Sequence, residues 1–74
     1  MEEKVLEIMA KAFNIDVLSL SNKTSKKDLT QWYSMSHLHL IVDTENEFNI
    51  SFTNEEIVTI IDFESLLKII KSKI

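Results

Sequence analysis

A chain of 74 residues that contains neither glycine nor proline lacks the two residues that most often end helices and set turns, so its punctuation has to come from other side chains. Asparagine is the best substitute for glycine in the left-handed conformation, and it occurs twice in one setting: Phe13-Asn14-Ile15 and Phe48-Asn49-Ile50. Each triplet reads as a helix end, with Asn in the cap position and an apolar residue behind it to contact the last turn. Two helix ends marked by one device already make a helical chain the expected outcome.

The segments between these marks carry helical periodicity. Over Glu2 to Phe13 the residues Val5, Ile8, Met9, Ala12 and Phe13 follow the helical repeat. Glu2 and Glu3 suit the positive end of the helix dipole, and Glu7 with Lys11 forms a favourable i,i+4 pair. The polar stretch Asn14 to Tyr33 is too long to be an idle connection in so small a domain. Ile15, Val17, Leu18, Leu20, Leu29 and Trp32 should pin it as a packed crossover, with a short turn after Asp16. A second helix is expected from about Ser34 to Phe48, with Leu38, Ile41, Val42, Glu45 and Phe48 at helical spacing. Thr53 and Glu56 have capping-box spacing for a short helix over Asn54 to Ile60. Asp62 can cap a last helix whose buried face is Phe63, Leu66, Leu67, Ile70 and Ile74, with Lys68, Lys71 and Lys73 at its negative end. The sum is an all-α, four-helix bundle in a single domain, residues 1–74, with one long crossover and one short helix.

Composition removes several functions. No Cys is present, which excludes disulfides, thiolate zinc sites and thiol nucleophiles. A net charge of −4 without any Arg argues against nucleic-acid binding, which needs cations for the phosphates. No apolar run approaches the roughly 18 residues of a spanning helix, and the N-terminal stretch is amphipathic rather than signal-like. The chain therefore reads as a soluble cytoplasmic protein with no membrane role, and as a monomer. The charge is uneven: residues 1–27 balance at +1, Asp28 to Glu64 carry −8 with no Lys, and the last seven residues add +3. A field of that kind can steer a basic partner, although a solvated acidic face is the commoner meaning of such a run.

Candidate chemistry is thin. Ser34 and His37 lie at i and i+3, but a hydrolase needs a third group to orient the base and an oxyanion hole, usually built on a Gly-containing turn. Asp43 projects to another face, and Gly is absent. His37 and His39 point about 200° apart on a helix, so they cannot share a metal; a surface contact of His39 with Asp43 is expected instead. No catalytic residue and no metal site is assigned, and the chain is not read as an enzyme. Trp32 is expected to seal the crossover onto the core rather than to read a ligand, and Met9 and Phe13 are expected in the core. For Ser34 the plain structural role is a helix cap. A cap and a modification site are compatible, because the first turn of a helix is exposed and its free N–H groups favour a phosphate. Ser36 is read as a surface residue.

The stretch Thr24-Ser25-Lys26-Lys27-Asp28-Leu29-Thr30-Gln31-Trp32-Tyr33-Ser34-Met35-Ser36-His37-Leu38-His39-Leu40-Ile41 resembles the core of acyl carrier and peptidyl carrier proteins, in which a Trp-Asp-Ser-Leu or Gly-Asp-Ser-Leu motif opens the second helix. Glu45-Asn46-Glu47-Phe48-Asn49-Ile50 is similar to the end of that helix and its Phe-Gly-Ile turn. Thr53-Asn54-Glu55-Glu56 resembles the start of the family's short third helix, and Asp62-Phe63-Glu64-Ser65-Leu66-Leu67 the entry to its last. The match runs through essentially the whole chain in order; the joint spacing carries it rather than any one tetrapeptide.

The resemblance implies that Ser34 is the attachment point for 4′-phosphopantetheine, donated by coenzyme A through a phosphopantetheinyl transferase. The arm ends in a thiol, the reactive sulfur this Cys-free chain lacks, and acyl or aminoacyl groups ride on it as thioesters. The cofactor carries the chemistry, and the protein tethers it for acyl-loading ligases and synthases. By the same resemblance the second helix is the recognition surface: Met35 and Val42 match apolar contact positions, and Asp43, Glu45 and Glu47 form an acidic strip for basic partners. Tyr33 stands where the family has Asp, on the surface the transferase meets. Met35 replaces the family's Leu, His39 and Asn46 replace frequent Glu, and Thr44 stands where an aliphatic side chain is common. These departures imply a carrier specialised for its own transferase or partners rather than the bulk fatty-acid carrier. The alternative is an unmodified interaction module that docks basic partners through the second helix.

Overall fold

A computed structural model describes all residues, 1–74. The chain is helical throughout its regular structure: α1 spans Glu2–Phe13, α2 Ser34–Phe48, α3 Asn54–Thr59 and α4 Phe63–Lys73. Two single 3₁₀ turns, Val17–Ser19 and Lys26–Asp28, lie within the crossover between α1 and α2. This is the four-helix arrangement expected from the periodicity, with the long connection first and the short helix third.

Both asparagine caps form. Asn14 (φ 57°, ψ 49°) and Asn49 (φ 55°, ψ 50°) are the chain's only residues with positive φ. Behind them the Ile15 N–H donates to the Ala10 carbonyl at 3.0 Å and the Ile50 N–H to the Glu45 carbonyl at 3.1 Å. Asn suffers less than other non-glycine residues in this conformation, which is how a glycine-free chain turns sharply after two helices.

The core is built from Val5, Ile8, Met9 and Phe13 of α1, Leu40 and Ile41 of α2, Phe63, Leu66 and Ile70 of α4, and Leu20, Trp32, Phe52 and Ile60 from the connections. The crossover is fastened to the α3–α4 link by two backbone hydrogen bonds, Lys26 N–H to Ile61 carbonyl at 2.8 Å and Phe63 N–H to Thr24 carbonyl at 2.9 Å. Asp16 caps the first 3₁₀ turn by accepting from the Leu18 N–H at 2.9 Å.

Several expectations are corrected. Val17 and Leu18 do not pin the crossover: they sit in the first 3₁₀ turn, and Leu18 is 89% exposed. Leu20 and Trp32 are buried and Ile15 and Leu29 pack against the core, as expected, and Thr24 is buried with them. On α4, Ile74 lies past the last turn and is exposed. Lys11 makes no ion pair with Glu7; Glu7 pairs with Lys4 at 3.7 Å. On α2 the buried residues are Ser36, His37, Leu40, Ile41 and Thr44; of the apolar residues at helical spacing, Ile41 is inside, Leu38 is exposed, and Val42 is exposed in keeping with its reading as a contact position. Polar side chains can take the inner face because each finds an acceptor or donor there; the Thr44 hydroxyl, fully buried, donates to the Leu40 carbonyl at 2.7 Å.

Candidate functional site

The crossover delivers Trp32 to the N-terminal end of α2. Its indole is 3% exposed, packs on Phe13 with ring centroids 4.8 Å apart, and donates its N–H to His37 Nδ1 at 2.8 Å. Trp32 therefore seals the loop onto the core, as expected. Tyr33 follows in an extended conformation (φ −130°, ψ −175°) as the N-cap of α2, with its own side chain exposed.

Ser34 is the first helical residue rather than the cap. Its residue is exposed, and its hydroxyl makes no hydrogen bond to the protein. The capping work falls to Ser36, which is buried and not at the surface as its sequence position suggested. The Ser36 Oγ accepts the Tyr33 N–H at 2.9 Å and donates toward the Gln31 carbonyl at 2.7 Å, with the Tyr33 carbonyl at 3.0 Å. One serine thus holds the turn and frees the other. Because the N-cap side chain accepts nothing and the first turn contains no acid, the leading N–H groups of α2 retain their partial positive charge.

His37 does not stand beside Ser34 as a base. Its ring points inward, with Nδ1 on the Trp32 indole and Nε2 2.9 Å from the Ile57 carbonyl of α3. Nor does His39 pair with Asp43; the protein's two ion pairs are Lys4–Glu7 and Glu56–Lys73. No group of three His, Asp or Glu side chains converges as a metal site would require.

The residues read as partner contacts are distributed unequally. Met35, Leu38 and Val42, spaced i, i+3 and i+7, form a stripe along the outer face of α2, each more than half exposed. Tyr33 extends the stripe toward Ser34. Leu38 is read from the sequence only as a residue at helical spacing, so its place on this outer face is a feature the pattern missed. The alternative spacing His37, Leu40, Ile41, Thr44 and Phe48 carries the same period and was the available signal. Asp43 and Glu47 lie together on the side facing α1, lining a shallow depression with Ile8, Lys11 and Asn46. Glu45 is on another side of the helix, half-buried, and its Oε2 accepts the Phe52 N–H at 2.8 Å. The acidic trio is therefore not one strip: two carboxylates share a face, and the third ties the end of α2 to the segment before α3.

An open hollow of about 500 Å³ lined by Ser25, Lys26, Lys27, Trp32 and Ile61 lies where the crossover meets the α3–α4 link. No helix is long and apolar enough to cross a membrane.

The arrangement of helices matches a solved structure closely. The solution NMR structure of the holo acyl carrier protein from Geobacter metallireducens superposes with a TM-score of 0.84 at 28% sequence identity, covering 97% of this chain and 83% of that one. The chain is acyl-carrier-like. No protein-family model matches the sequence, and no curated protein matches it. The long crossover, the exposed start of α2 and the short α3 are the parts of this fold on which the site is built.

Proposed function

We propose that this protein is an acyl carrier that holds 4′-phosphopantetheine on Ser34 and serves a specialised biosynthetic pathway with acyl or aminoacyl cargo. The observation that carries the reading is the Ser34 hydroxyl: exposed, free of protein hydrogen bonds, and at the first position of α2 on an acyl-carrier fold. The similar structure is of a holo protein, which supports the same group here.

The residues present fit that group. A phosphodiester at Ser34 would lie at a helix start whose N–H groups are uncapped by any side chain and whose first turn holds no carboxylate, an arrangement that favours an anion. In the loading step the serine oxygen forms a bond to the phosphorus next to pantetheine in coenzyme A. The bond to the adenosine bisphosphate breaks, that nucleotide leaves, and the serine proton passes to a base of the transferase. Once attached, the arm supplies the thiol on which acyl groups are held. The protein's own contributions are tethering and docking. Met35 and Val42 offer apolar contact beside the attachment point, Asp43 and Glu47 offer an anionic face, and Tyr33 replaces charge with an aromatic ring next to the serine. Glu45 belongs to this partner surface with one oxygen only, since the other is held by Phe52. Acyl-loading ligases or synthases and a phosphopantetheinyl transferase are the partners.

Incubation with coenzyme A and a broad-specificity transferase, read by intact mass, tests the assignment. One phosphopantetheinyl group is expected on the wild type and none on Ser34→Ala. Absence of any gain with several transferases would leave an unmodified docking module; gain that persists in Ser34→Ala would place the attachment elsewhere.

A further inference from the structure

The short helix α3 is held differently from the rest of the bundle. None of its six residues is fully buried; apolar anchoring comes from Phe52 before it, Ile60 after it and the partly buried Ile57 within it. Within the helix, the attachments to its neighbours include two polar bolts. Glu56 forms an ion pair with Lys73 of α4 at 2.9 Å, and the Ile57 carbonyl meets His37 Nε2 of α2 at 2.9 Å.

The second bolt is one half of a relay. An indole N–H only donates, so His37 Nδ1, 2.8 Å from Trp32 Nε1, must accept. The proton of the neutral ring then sits on Nε2 and is donated to the Ile57 carbonyl. One imidazole thus joins the crossover, α2 and α3, in the sequence Trp32 to His37 to Ile57. This arrangement has room for one ring proton and no place for a second. A proton on Nδ1 would set N–H against N–H across 2.8 Å, and the buried indole would lose its acceptor.

The other titratable and charged groups nearby do not offset that. His39 is exposed on the outer side of α2, and Tyr33 is exposed one turn before the ring. Glu56, next to Ile57 on α3, is engaged by Lys73 and by the Thr53 N–H. Lys27 of the crossover is exposed beside Trp32. None of them makes a hydrogen bond or ion pair with the His37 ring.

We propose that the Trp32–His37–Ile57 relay is a proton-sensitive clasp that closes α3 against α2, and that protonation of His37 releases α3 while α1, α2 and α4 remain packed. The released segment is the one whose Ile57 carbonyl meets the first turn of α2. The device belongs to the fold and does not depend on whether Ser34 is modified.

The test uses the full ¹⁵N-labelled chain between about pH 8 and pH 5, the range in which imidazole is the side chain that titrates. Ring nitrogen shifts at the upper limit should show a proton on His37 Nε2. After correction for intrinsic exchange, the Trp32 indole proton and the Ile57 amide, which is bonded to the Thr53 carbonyl, should lose protection together, by about tenfold or more, as pH falls. The Leu66 amide of α4 should not change. His37→Gln keeps an acceptor for Trp32 and a donor for Ile57 but does not titrate, so its α3 protection should be flat over the same range. His39→Gln should behave as wild type. A ring proton on Nδ1, undiminished protection of the indole and of Ile57 down to about pH 5, or the same acid loss in His37→Gln would each overturn the proposal. If the glutamine variant does not fold, the wild-type tautomer and the paired loss decide it alone.

Discussion

The starts of α2 and α4 are built from similar parts to opposite ends. At α4 the Asp62 carboxylate accepts the Ser65 N–H at 2.7 Å, and the Ser65 hydroxyl accepts the N–H groups of Asp62 at 3.2 Å and Ile61 at 3.1 Å. Both halves of a capping box are present, and the helix start is closed. At α2 the equivalent of Ser65 is Ser36, which accepts the Tyr33 N–H, but the equivalent of Asp62 is Tyr33, whose side chain caps nothing. Half of the box remains. The result is a helix start whose backbone is held firmly while its leading N–H groups, and the hydroxyl of Ser34 among them, face outward. The closed start only holds its helix; the half-open one also leaves the Ser34 hydroxyl exposed.

This contrast can be broken from either side. The largest expected effect on stability is that of Ser36→Ala. It removes a buried hydroxyl and strands both the Tyr33 N–H and the Gln31 carbonyl, so a loss of about 2 kcal/mol is expected in urea unfolding. Ser34→Ala, two residues away, should leave the unfolding midpoint unchanged, because its hydroxyl holds nothing in place; the pair of variants separates the holding serine from the presented one. Asp62→Ala opens the closed start and should cost about 1 kcal/mol, read from the same curves. Tyr33→Asp closes the open start by supplying the missing acceptor. A gain of about 0.5 kcal/mol is expected from the cap and the helix dipole, together with faster phosphopantetheinylation by a broad-specificity transferase. Equal modification rates for the two forms would show that the aromatic ring is not a selectivity element.

The smallest effect concerns the start of α3, a third capping box. The Glu56 carboxyl is held below its ordinary value of 4.5, first by the hydrogen bond from the Thr53 N–H and then by Lys73. As pH falls, the unfolded chain takes up this proton before the folded one does. The contribution is therefore complete above 4.5 and is lost as pH drops through the lowered folded value. The stability difference between wild type and Glu56→Gln, followed by thermal melts at decreasing pH, should shrink over that acid range; a constant difference would show that the ionised carboxylate is not what holds the helix start.

The same helix starts show how far the sequence could be read. Thr53 with Glu56 and Asp62 with Ser65 are local: donor and acceptor lie three residues apart, and any helix beginning there brings them together. Asn14 and Asn49 are equally local, because the left-handed cap depends on one residue's own backbone preference. Ser34 as the presented hydroxyl was legible through the family resemblance. Its freedom was not, since it depends on Ser36 taking the capping role, and both are serines at the start of one helix. The inner face of α2 was not legible for a related reason. Leu38 and Val42 are more apolar than His37 and Thr44, so pattern alone turns the wrong side inward. The actual face is decided by partners distant in sequence or hidden in the backbone: the Ile57 carbonyl for His37, and the helix's own Leu40 carbonyl for Thr44.

Taken alone, the sequence determined the number of helices, their order and nearly all of their ends, because capping and helical periodicity are settled within a few residues of chain. Tertiary structure alone decided which serine works and which is displayed, that Leu38 lies outside and His37 inside, and that Glu45 braces the backbone while Asp43 and Glu47 line a depression beside α1. Burial of a polar group is favourable only when a partner stands within hydrogen-bond reach, and that reach is a property of the packed chain.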